Sequence, residues 1–292
     1  MTTPASQRPR LTSEVFRLLR ELINAHAGLE YQDDALYAFE RRLSERLATL
    51  GLPGFNDYYQ YLRLNRGGSA ELDEALDLLT TKETYFFRQE YQLRALRDEL
   101  LPKLAQRNAR SRRLAIWSAG CSTGEEVYSV AIFVLESGLF DGWEVRVIGS
   151  DLSKRSVAAA RRGVYRPSAF RSTPPEIRRT YFDERTDGSH IAESVKRLCH
   201  FGQLNLLDST RASIVGRVDV VLCRNVLIYF DPRARARVIE NLYDRLLPGG
   251  YLLLGHSESL WNVSTAFELC HLAEDLVYRK PMATGRLDPP GE

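Results

Sequence analysis

Residues 117–126 read Trp-Ser-Ala-Gly-Cys-Ser-Thr-Gly-Glu-Glu. The apolar run 114–116 precedes them, and apolar residues at helical spacing follow over 127–133. This pattern predicts a β-strand, a turn of small residues and the start of an α-helix. Such a turn lets a ligand approach the backbone and meet the free N–H groups of the helix. We therefore expect a ligand site here, although a tight turn without a ligand has the same pattern.

The charge of this loop narrows the class of ligand. Glu125 and Glu126 stand where a phosphate-binding loop would carry a lysine. Carboxylates repel a pyrophosphate but attract a ligand with an ammonium and a sulfonium group. Alternate positions of 118–124 hold Ser, Gly, Ser and Gly, so the loop resembles the acidic-x-Gly-x-Gly-x-Gly loop of class I methyltransferases. That resemblance implies S-adenosylmethionine as the ligand.

The bulk composition is typical of a soluble globular protein. The 292 residues are 44% hydrophobic and 27% charged, which suits one large domain or two modest ones. A net charge of +2 is too mild to indicate a nucleic-acid partner. No apolar run is long enough to span a bilayer, and the first residues do not resemble a signal peptide. The four cysteines are far apart. We expect a cytoplasmic protein with reduced thiols, no metal and no direct membrane insertion.

The first 80 residues have the apolar spacing of a small all-helical domain. Predicted helices run from residue 14 to about 25, from about 35 to 50, from 55 to 64 and from 70 to 79. The second helix carries Arg41, Arg42 and Arg46 on the side opposite its apolar residues. These arginines suit either a solvated face or a surface that contacts a partner, and their alternation with glutamates favours neither.

From about residue 112 the pattern changes to alternating strands and helices, which predicts an α/β fold with a parallel sheet. Two segments depart from the alternation: 164–204 predicts an inserted antiparallel β-subdomain, and 281–292 predicts a disordered tail. The main domain then spans 81–280. The predicted strands are 114–117, 145–149, 218–223 and 251–255, with a helix over 232–247 and a closing hairpin of 267–269 and 276–278.

Polar residues at two strand ends are candidates for binding a nucleoside. Asp151 closes the second predicted strand, where a Rossmann-like fold places an acid on ribose hydroxyls. A helix cap is the alternative role for this side chain. Asn205 and Leu206 follow an alternating segment. An amide beside an aliphatic side chain suits an adenine ring, and a plain turn explains the pair equally well.

A second group of candidates follows the buried strand 218–223. Arg224 and Asn225 come directly after it, at the carboxyl edge where open α/β sheets bind ligands. Tyr229 is close enough in the chain to reach the same crevice, although a core tyrosine with its hydroxyl at the surface is an alternative.

The connection between the two domains, residues 80–88, carries the last candidates. Phe86 and Phe87 suit an aromatic plug between domains. A plug does not explain Thr84 and Arg88, because a linker needs no fixed hydroxyl or guanidinium. Arg88 is suited to hold a carboxylate in a fixed geometry.

Together these segments resemble the CheR family of chemotaxis receptor glutamate O-methyltransferases. The resemblance covers almost the whole chain and implies a class I methyltransferase Rossmann-like sheet with a small all-helical N-terminal domain and an inserted antiparallel β-subdomain. One departure is Lys82, where the family usually has Asn. The matching motifs are Thr-x-Phe-Phe-Arg at 84–88, Ser-Thr-Gly-Glu-Glu at 122–126, Asp151, Asn-Leu-Leu at 205–207, Cys-Arg-Asn-Val-Leu-Ile-Tyr-Phe at 223–230 and Gly-His-Ser-Glu-Ser at 255–259.

The resemblance also implies an activity and a set of site residues. The protein would transfer methyl from S-adenosylmethionine to glutamates on the cytoplasmic helices of a methyl-accepting chemoreceptor, leaving S-adenosylhomocysteine. Arg88 and Tyr229 would face the substrate carboxylate. A module that binds the cofactor and docks on receptors without catalysis is the alternative. The residues that would line the cofactor site are Thr84, Arg88, Glu126, Asp151, Asn205, Leu206, Arg224 and Asn225.

Overall fold

The computed structural model describes residues 9–282, so the N-terminal residues 1–8 and most of the predicted tail lie outside the described residues. The chain begins with four helices, at the places that the apolar spacing predicts. The first starts at Thr12, whose hydroxyl accepts a hydrogen bond from the N–H of Val15. The helices are α1 (Ser13–Ala27), α2 (Leu36–Leu50), α3 (Phe55–Leu64) and α4 (Gly68–Leu79).

Two of the three arginines on α2 are bound within the helical domain. Arg42 donates to the carbonyls of Leu78 and Leu79 at the end of α4. Arg46 makes two bonds of 2.8 and 2.6 Å to the buried carboxylate of Glu71. These contacts pin α2 to α4, so a surface for a partner on this helix would rest on its remaining cation.

The Arg46 pair gives a testable stability difference. Replacing Arg46 by Ala leaves the carboxylate of Glu71 buried without its cation, although the Tyr58 hydroxyl still donates to it. We expect a loss of about 3 kcal/mol in the free energy of unfolding, at the lower end for a broken buried pair. Thermal and urea unfolding measure this loss. Arg41→Ala, on the exposed side of the same helix, is the matched control, and equal effects of the two changes would contradict the assignment.

The rest of the chain alternates strands and helices. The helix over 90–108 includes one π-helical turn, Leu96–Leu100. The elements are α5 (Glu90–Ala95), α6 (Leu101–Asn108), β1 (Arg113–Ala119), α7 (Glu125–Glu136), β2 (Glu144–Asp151), α8 (Lys154–Arg162), β3 (Val164–Tyr165), α9 (Pro175–Tyr181), β4 (Phe182–Arg185), β5 (Gly188–Ile191), α10 (Glu193–Lys196), β6 (Cys199–Gln203), α11 (Ser209–Ala212), β7 (Val218–Cys223), α12 (Pro232–Arg245), β8 (Leu246–Leu254), β9 (Glu268–His271) and β10 (Leu276–Arg279).

Seven strands form one sheet in the order β6-β2-β1-β7-β8-β10-β9. The first five are parallel to one another, and β10 is antiparallel to both of its neighbours. This is the doubly wound Rossmann-like arrangement, in which the direction of winding reverses between β1 and β7. The predicted closing hairpin is the antiparallel pair β9 and β10. The α/β class predicted from the sequence is confirmed.

Two boundaries differ from the prediction. The helix expected to reach 247 ends at Arg245, because Leu246 takes an extended backbone and pairs with Val218 of β7. The insertion expected to end at 204 contains a small antiparallel sheet, β3-β5-β4, whose last strand ends at Ile191. Residues 199–203 instead form β6, which pairs in parallel with β2 at the edge of the large sheet.

The hydrophobic core lies on both faces of the large sheet. On one face the four N-terminal helices and α12 share a single core, in which Leu19 and Leu43 belong to the same cluster as Trp117, Val221 and Leu242. On the other face the core comprises α5, α6, α7 and the small antiparallel sheet. The helical domain is therefore packed directly against the sheet that carries the candidate site. Within residues 9–282, no helix has the length and apolar character needed to cross a membrane.

Candidate functional site

A cavity that is open to solvent lies at the carboxyl ends of β1, β2, β6 and β7, beside the helical domain. It is at the point where the winding of the sheet reverses, which is where open α/β sheets bind ligands. Every site residue predicted from the sequence contributes to its lining: Thr84, Arg88, Glu126, Asp151, Asn205, Leu206, Arg224, Asn225 and Tyr229.

The loop between β1 and α7 can form the cavity floor only with glycine at two positions. Gly120 and Gly124 have φ of 85° and 95°, in the left-handed region that favours glycine. A Cβ atom at Gly120 would lie 2.5 Å from a methyl group of Val226, and one at Gly124 would lie 2.8 Å from the Cβ of Ala160. The loop is therefore packed closely against its neighbours while its backbone borders the cavity.

The two glutamates that begin α7 have different environments. Glu126 borders the cavity, where it accepts hydrogen bonds from the Ser118 hydroxyl (2.7 Å) and from Arg224 (2.7 Å). Glu125 points into the protein and accepts a bond from the Thr123 hydroxyl, and its burial raises the pKa of this carboxyl. The expectation that both carboxylates act on a ligand is thus met geometrically by Glu126 alone, because successive helical residues face different directions.

Asp151 lies at the end of β2 and borders the same cavity. Its two oxygens accept backbone N–H bonds from Ser122 (2.7 Å) and Ser153 (2.9 Å). The side chain thus ties the glycine loop to Ser153, the residue that caps α8 through its own hydroxyl, so the alternative of a helix cap falls to Ser153 and not to Asp151. Burial raises the pKa of Asp151, and the exposed Lys82 ammonium acts in the opposite direction.

Arg224 is buried, and protein groups already occupy most of its donors. Its guanidinium bonds to the side chains of Gln92 (2.9 Å), Glu126 (2.7 Å) and Gln89 (3.1 Å), and to the carbonyl of Arg88 (2.6 Å). With a side chain only 1% exposed, Arg224 holds the 88–92 segment against the glycine loop. Its contribution to the cavity is mainly to fix these neighbours.

Asn205 and Leu206 connect the cavity to the helical domain. The Asn205 amide donates to the carbonyl of His26 (2.8 Å) near the end of α1, and its oxygen accepts from the N–H of Leu207 (3.0 Å). Leu206 is buried and provides an apolar patch of the wall. Asn205 and Leu206 therefore form a turn and also line the cavity, so both of the alternatives left open by the sequence apply.

The prediction of an aromatic plug between the two domains is wrong, because Phe86 and Phe87 both belong to the core on the sheet face opposite the helical domain. Phe86 packs among the rings of Tyr165, Phe170 and Phe182 of the insertion region. The rings of Phe86 and Phe87 are fully buried, whereas Thr84 and Arg88, on either side of them in the sequence, border the cavity. The Arg88 guanidinium donates to the carbonyl of Glu83 (2.6 Å), which steadies it there.

Residues of the helical domain that the sequence analysis did not single out also border the cavity. Glu30 and Tyr31 follow α1, and the Glu30 N–H donates to the carbonyl of Tyr229 (2.8 Å). A β-bridge joins Leu29 to Phe230 beside this bond. Burial raises the pKa of Tyr31 to about 12, and the neighbouring Tyr229 adds to the rise. No local spacing signals these residues, because they reach the cavity only through the packing of two distant segments.

The described residues fit S-adenosylmethionine. The cavity offers carboxylates of Glu126 and Asp151 rather than the lysine that a phosphate ligand requires. The hydroxyl of Ser122, in its lining, is buried and has no hydrogen-bond partner. A buried polar atom of this kind calls for a partner, which a bound ligand supplies. A Rossmann-like sheet with such a cavity at its switch point defines a class I methyltransferase.

The comparisons with known proteins identify the family. Residues 14–80 match the family model "CheR methyltransferase, all-alpha domain", and residues 82–275 match "CheR methyltransferase, SAM binding domain". The chain belongs to the CheR methyltransferase family, as its motifs predicted, and is an S-adenosylmethionine-dependent methyltransferase.

Relatives of similar length match along almost the whole chain. "Chemotaxis protein methyltransferase 2" of Vibrio cholerae is 33% identical over 93% of this chain and 94% of its own length. "Chemotaxis protein methyltransferase 1" of Pseudomonas aeruginosa is 32% identical over 90% and 97%. A solved structure of magnesium protoporphyrin IX methyltransferase from Synechocystis PCC 6803 with bound SAM is 14% identical to this chain. The match covers 81% of this chain and 94% of that one, with a TM-score of 0.35.

Proposed function

We propose that this protein methylates glutamate side chains on the cytoplasmic helices of a methyl-accepting chemoreceptor, forming methyl esters. The observation that carries the proposal is that Arg88 and Tyr229, 141 residues apart in the sequence, both border the cavity of a CheR-family methyltransferase. A guanidinium and a phenol are suited to receive a carboxylate. The names of the relatives, all chemotaxis protein methyltransferases, support a receptor as the substrate.

The cofactor would be held by the cavity residues according to their chemistry. Asp151, at the end of β2, is suited to accept hydrogen bonds from ribose hydroxyls. Leu206 offers an apolar surface to the adenine ring, and Glu126 offers negative charge to the amino and sulfonium groups. Thr84 and Asn225 supply further polar groups to the lining. When bound, S-adenosylmethionine supplies an electrophilic methyl group on its sulfonium.

The protein does not need a general base for this reaction. A glutamate has a pKa of about 4.3, so its carboxylate is already ionised and nucleophilic at neutral pH. None of the cavity-lining residues in the described part of the chain is a histidine. The carboxylate oxygen forms the new bond to the methyl carbon as the bond from that carbon to sulfur breaks, and the two opposite charges cancel. No proton moves in this step.

Catalysis by this chain then consists of alignment and exclusion of water. Arg88 would orient the incoming carboxylate, and the hydroxyl of Tyr229 would donate to it. Because the reactants lose charge as they join, a drier cavity favours the transition state. Leu206, which is buried, and Tyr31, which is largely removed from water, both border the cavity and help to exclude water from it.

Site mapping tests the proposal. The protein is incubated with S-adenosylmethionine and the cytoplasmic fragment of a chemoreceptor, which is then digested and analysed by mass spectrometry. We expect peptides that gain one methyl group on a glutamate side chain. Methylation of another residue type would contradict the glutamate substrate. Binding of S-adenosylhomocysteine without any methylation would favour the alternative, a module that docks on receptors without catalysis.

A further inference from the structure

Glu258 makes an unusual set of contacts beside the cavity. It lies four residues after β8, and its carboxylate accepts four backbone N–H bonds. One oxygen receives Asn225 (2.8 Å) and Gly255 (2.7 Å), and the other receives Val226 (2.8 Å) and Ile228 (3.3 Å). Bonds of this kind to an ionised carboxylate are about twice as strong as those between neutral groups. Three of the four donors belong to the loop that follows β7.

We propose that Glu258 is a positioning residue for methyl transfer, whose carboxylate fixes the loop 225–229 so that Asn225 and Tyr229 border the cavity. The inference rests on the proposed function, because it uses the site residues named there. Glu258 is outside the cavity lining and acts only through this loop.

The loop depends on this anchor for its backbone hydrogen bonds at Asn225, Val226 and Ile228. Asn225 has a φ of 58°, in the left-handed region that asparagine adopts more readily than most residues other than glycine. A single 3₁₀ turn, Leu227–Tyr229, follows it, and Ile228 and Tyr229 are 48% and 39% exposed. The apolar core holds this turn only at Leu227. The N–H groups at the start of the turn would lack partners without the Glu258 carboxylate.

Gly255 shows how closely the anchor and the loop approach. A Cβ atom at Gly255 would lie 2.7 Å from the N atom of Asn225 and 2.7 Å from a carboxylate oxygen of Glu258. Any side chain at 255 would therefore separate the two partners. Gly255→Ala and changes at Glu258 therefore both disturb the hydrogen bond between the N–H of Asn225 and the Glu258 carboxylate.

The anchor works beside a second one, centred on Arg224. Arg224 fixes the backbone carbonyl of Arg88, whereas Glu258 fixes the loop that ends in Tyr229. Two separate sets of hydrogen bonds therefore hold the segments that carry the two groups proposed to receive the substrate carboxylate. Arg224 holds the backbone of Arg88, and Glu258 holds the loop of Tyr229 through Asn225. A shift of the loop would change the distance between those groups without unfolding the sheet.

Glu258→Gln tests the proposal. The amide keeps the size of the side chain, but its nitrogen would face two N–H donors, so two of the four bonds are lost and the loop loses one or two of its three. We expect kcat for receptor methylation to fall about 30-fold, because small misplacements of reacting groups cost this much, and the melting temperature to fall by only a few degrees. Glu258→Asp should restore part of the loss. Glu268→Gln, on strand β9 away from the cavity, is the matched control and should keep the wild-type kcat.

Two further measurements separate positioning from general destabilisation. In a double-mutant cycle with Tyr229→Phe, the losses from Glu258→Gln and Tyr229→Phe should combine to less than their product, because the first change already misplaces the second residue. Should Glu258→Gln not fold, Gly255→Ala is to show the same kcat loss and the same coupling. Wild-type kcat in folded Glu258→Gln or Gly255→Ala, or independent losses in the cycle, would overturn the proposal. Inactive wild-type enzyme with normal cofactor binding would instead refute the proposed function.

Discussion

Asp151→Ala should weaken the binding of S-adenosylhomocysteine about 1000-fold, which is about 4 kcal/mol of binding free energy. The carboxylate borders the cavity at the end of β2, where it would accept hydrogen bonds from the ribose, and bonds to a charged group are worth about 1.5 to 3 kcal/mol each. The change also removes the bond to the N–H of Ser122 and loosens the glycine loop. Isothermal titration calorimetry measures the loss directly.

Asp141→Ala, at an exposed position of the loop before β2, is the control for this change and should bind as the wild type does. A loss of less than about tenfold in Asp151→Ala, about 1.4 kcal/mol, would leave Asp151 only the structural role of tying the glycine loop to Ser153.

The pH dependence of cofactor binding follows from the same side chain. Burial raises the pKa of Asp151, so its carboxylate is protonated at a higher pH than that of a free aspartate. The ionised form is the one that accepts hydrogen bonds on both oxygens, so binding should be fully present above the raised pKa and weaken as pH falls through it. Titration calorimetry at a series of pH values checks this. Asp151→Asn should bind weakly and without this pH dependence, and a persistent dependence would point to another group.

Arg88→Ala should lower kcat for receptor methylation about 100-fold while changing the Kd for S-adenosylhomocysteine less than threefold. The guanidinium is steadied at the cavity surface, where it would orient the substrate carboxylate, and lost orientation costs about this much in rate. Steady-state kinetics with receptor membranes and calorimetry with S-adenosylhomocysteine measure the two quantities. A very strong ion pair between Arg88 and the substrate carboxylate would lower the nucleophilicity of the carboxylate. We therefore expect Arg88 to align the carboxylate without binding it tightly.

Arg94→Ala is the matched control, since Arg94 lies on α5 and forms an exposed ion pair with Glu274 outside the cavity. Its kcat should stay within twofold of the wild type. Equal losses of kcat and of cofactor affinity in Arg88→Ala would assign Arg88 to the cofactor instead of the substrate carboxylate.

The fold could be predicted from the sequence where local chemistry determines it. The apolar strand 114–116, the small residues of 118–124 and the helical spacing of 127–133 form β1, a tight turn and α7 because each of these choices is local. The edge strand β6 could not be assigned in this way. Its sequence alternates like that of an antiparallel strand, and only its pairing with β2 makes it part of the large sheet.

The candidate site was predictable to the extent that its residues follow strand ends. Asp151 and Arg224 could be found because the carboxyl ends of parallel strands meet at one edge. Asn205 was a candidate only as a polar residue after an alternating segment, because the parallel pairing of β6 was not predicted. The chemical state of each side chain was not predictable. The saturation of Arg224 by its neighbours and the approach of Tyr31 depend on tertiary contacts that leave no periodic signal in the sequence.

The most direct test of the central claim is transfer of labelled methyl from S-adenosylmethionine to chemoreceptor-containing membranes, followed by mild alkali. The account predicts that the receptor is labelled and that alkali releases the label as methanol, because a carboxyl methyl ester hydrolyses under these conditions. Label that stays on the receptor through alkali treatment, or no transfer by protein that binds S-adenosylhomocysteine, would contradict it.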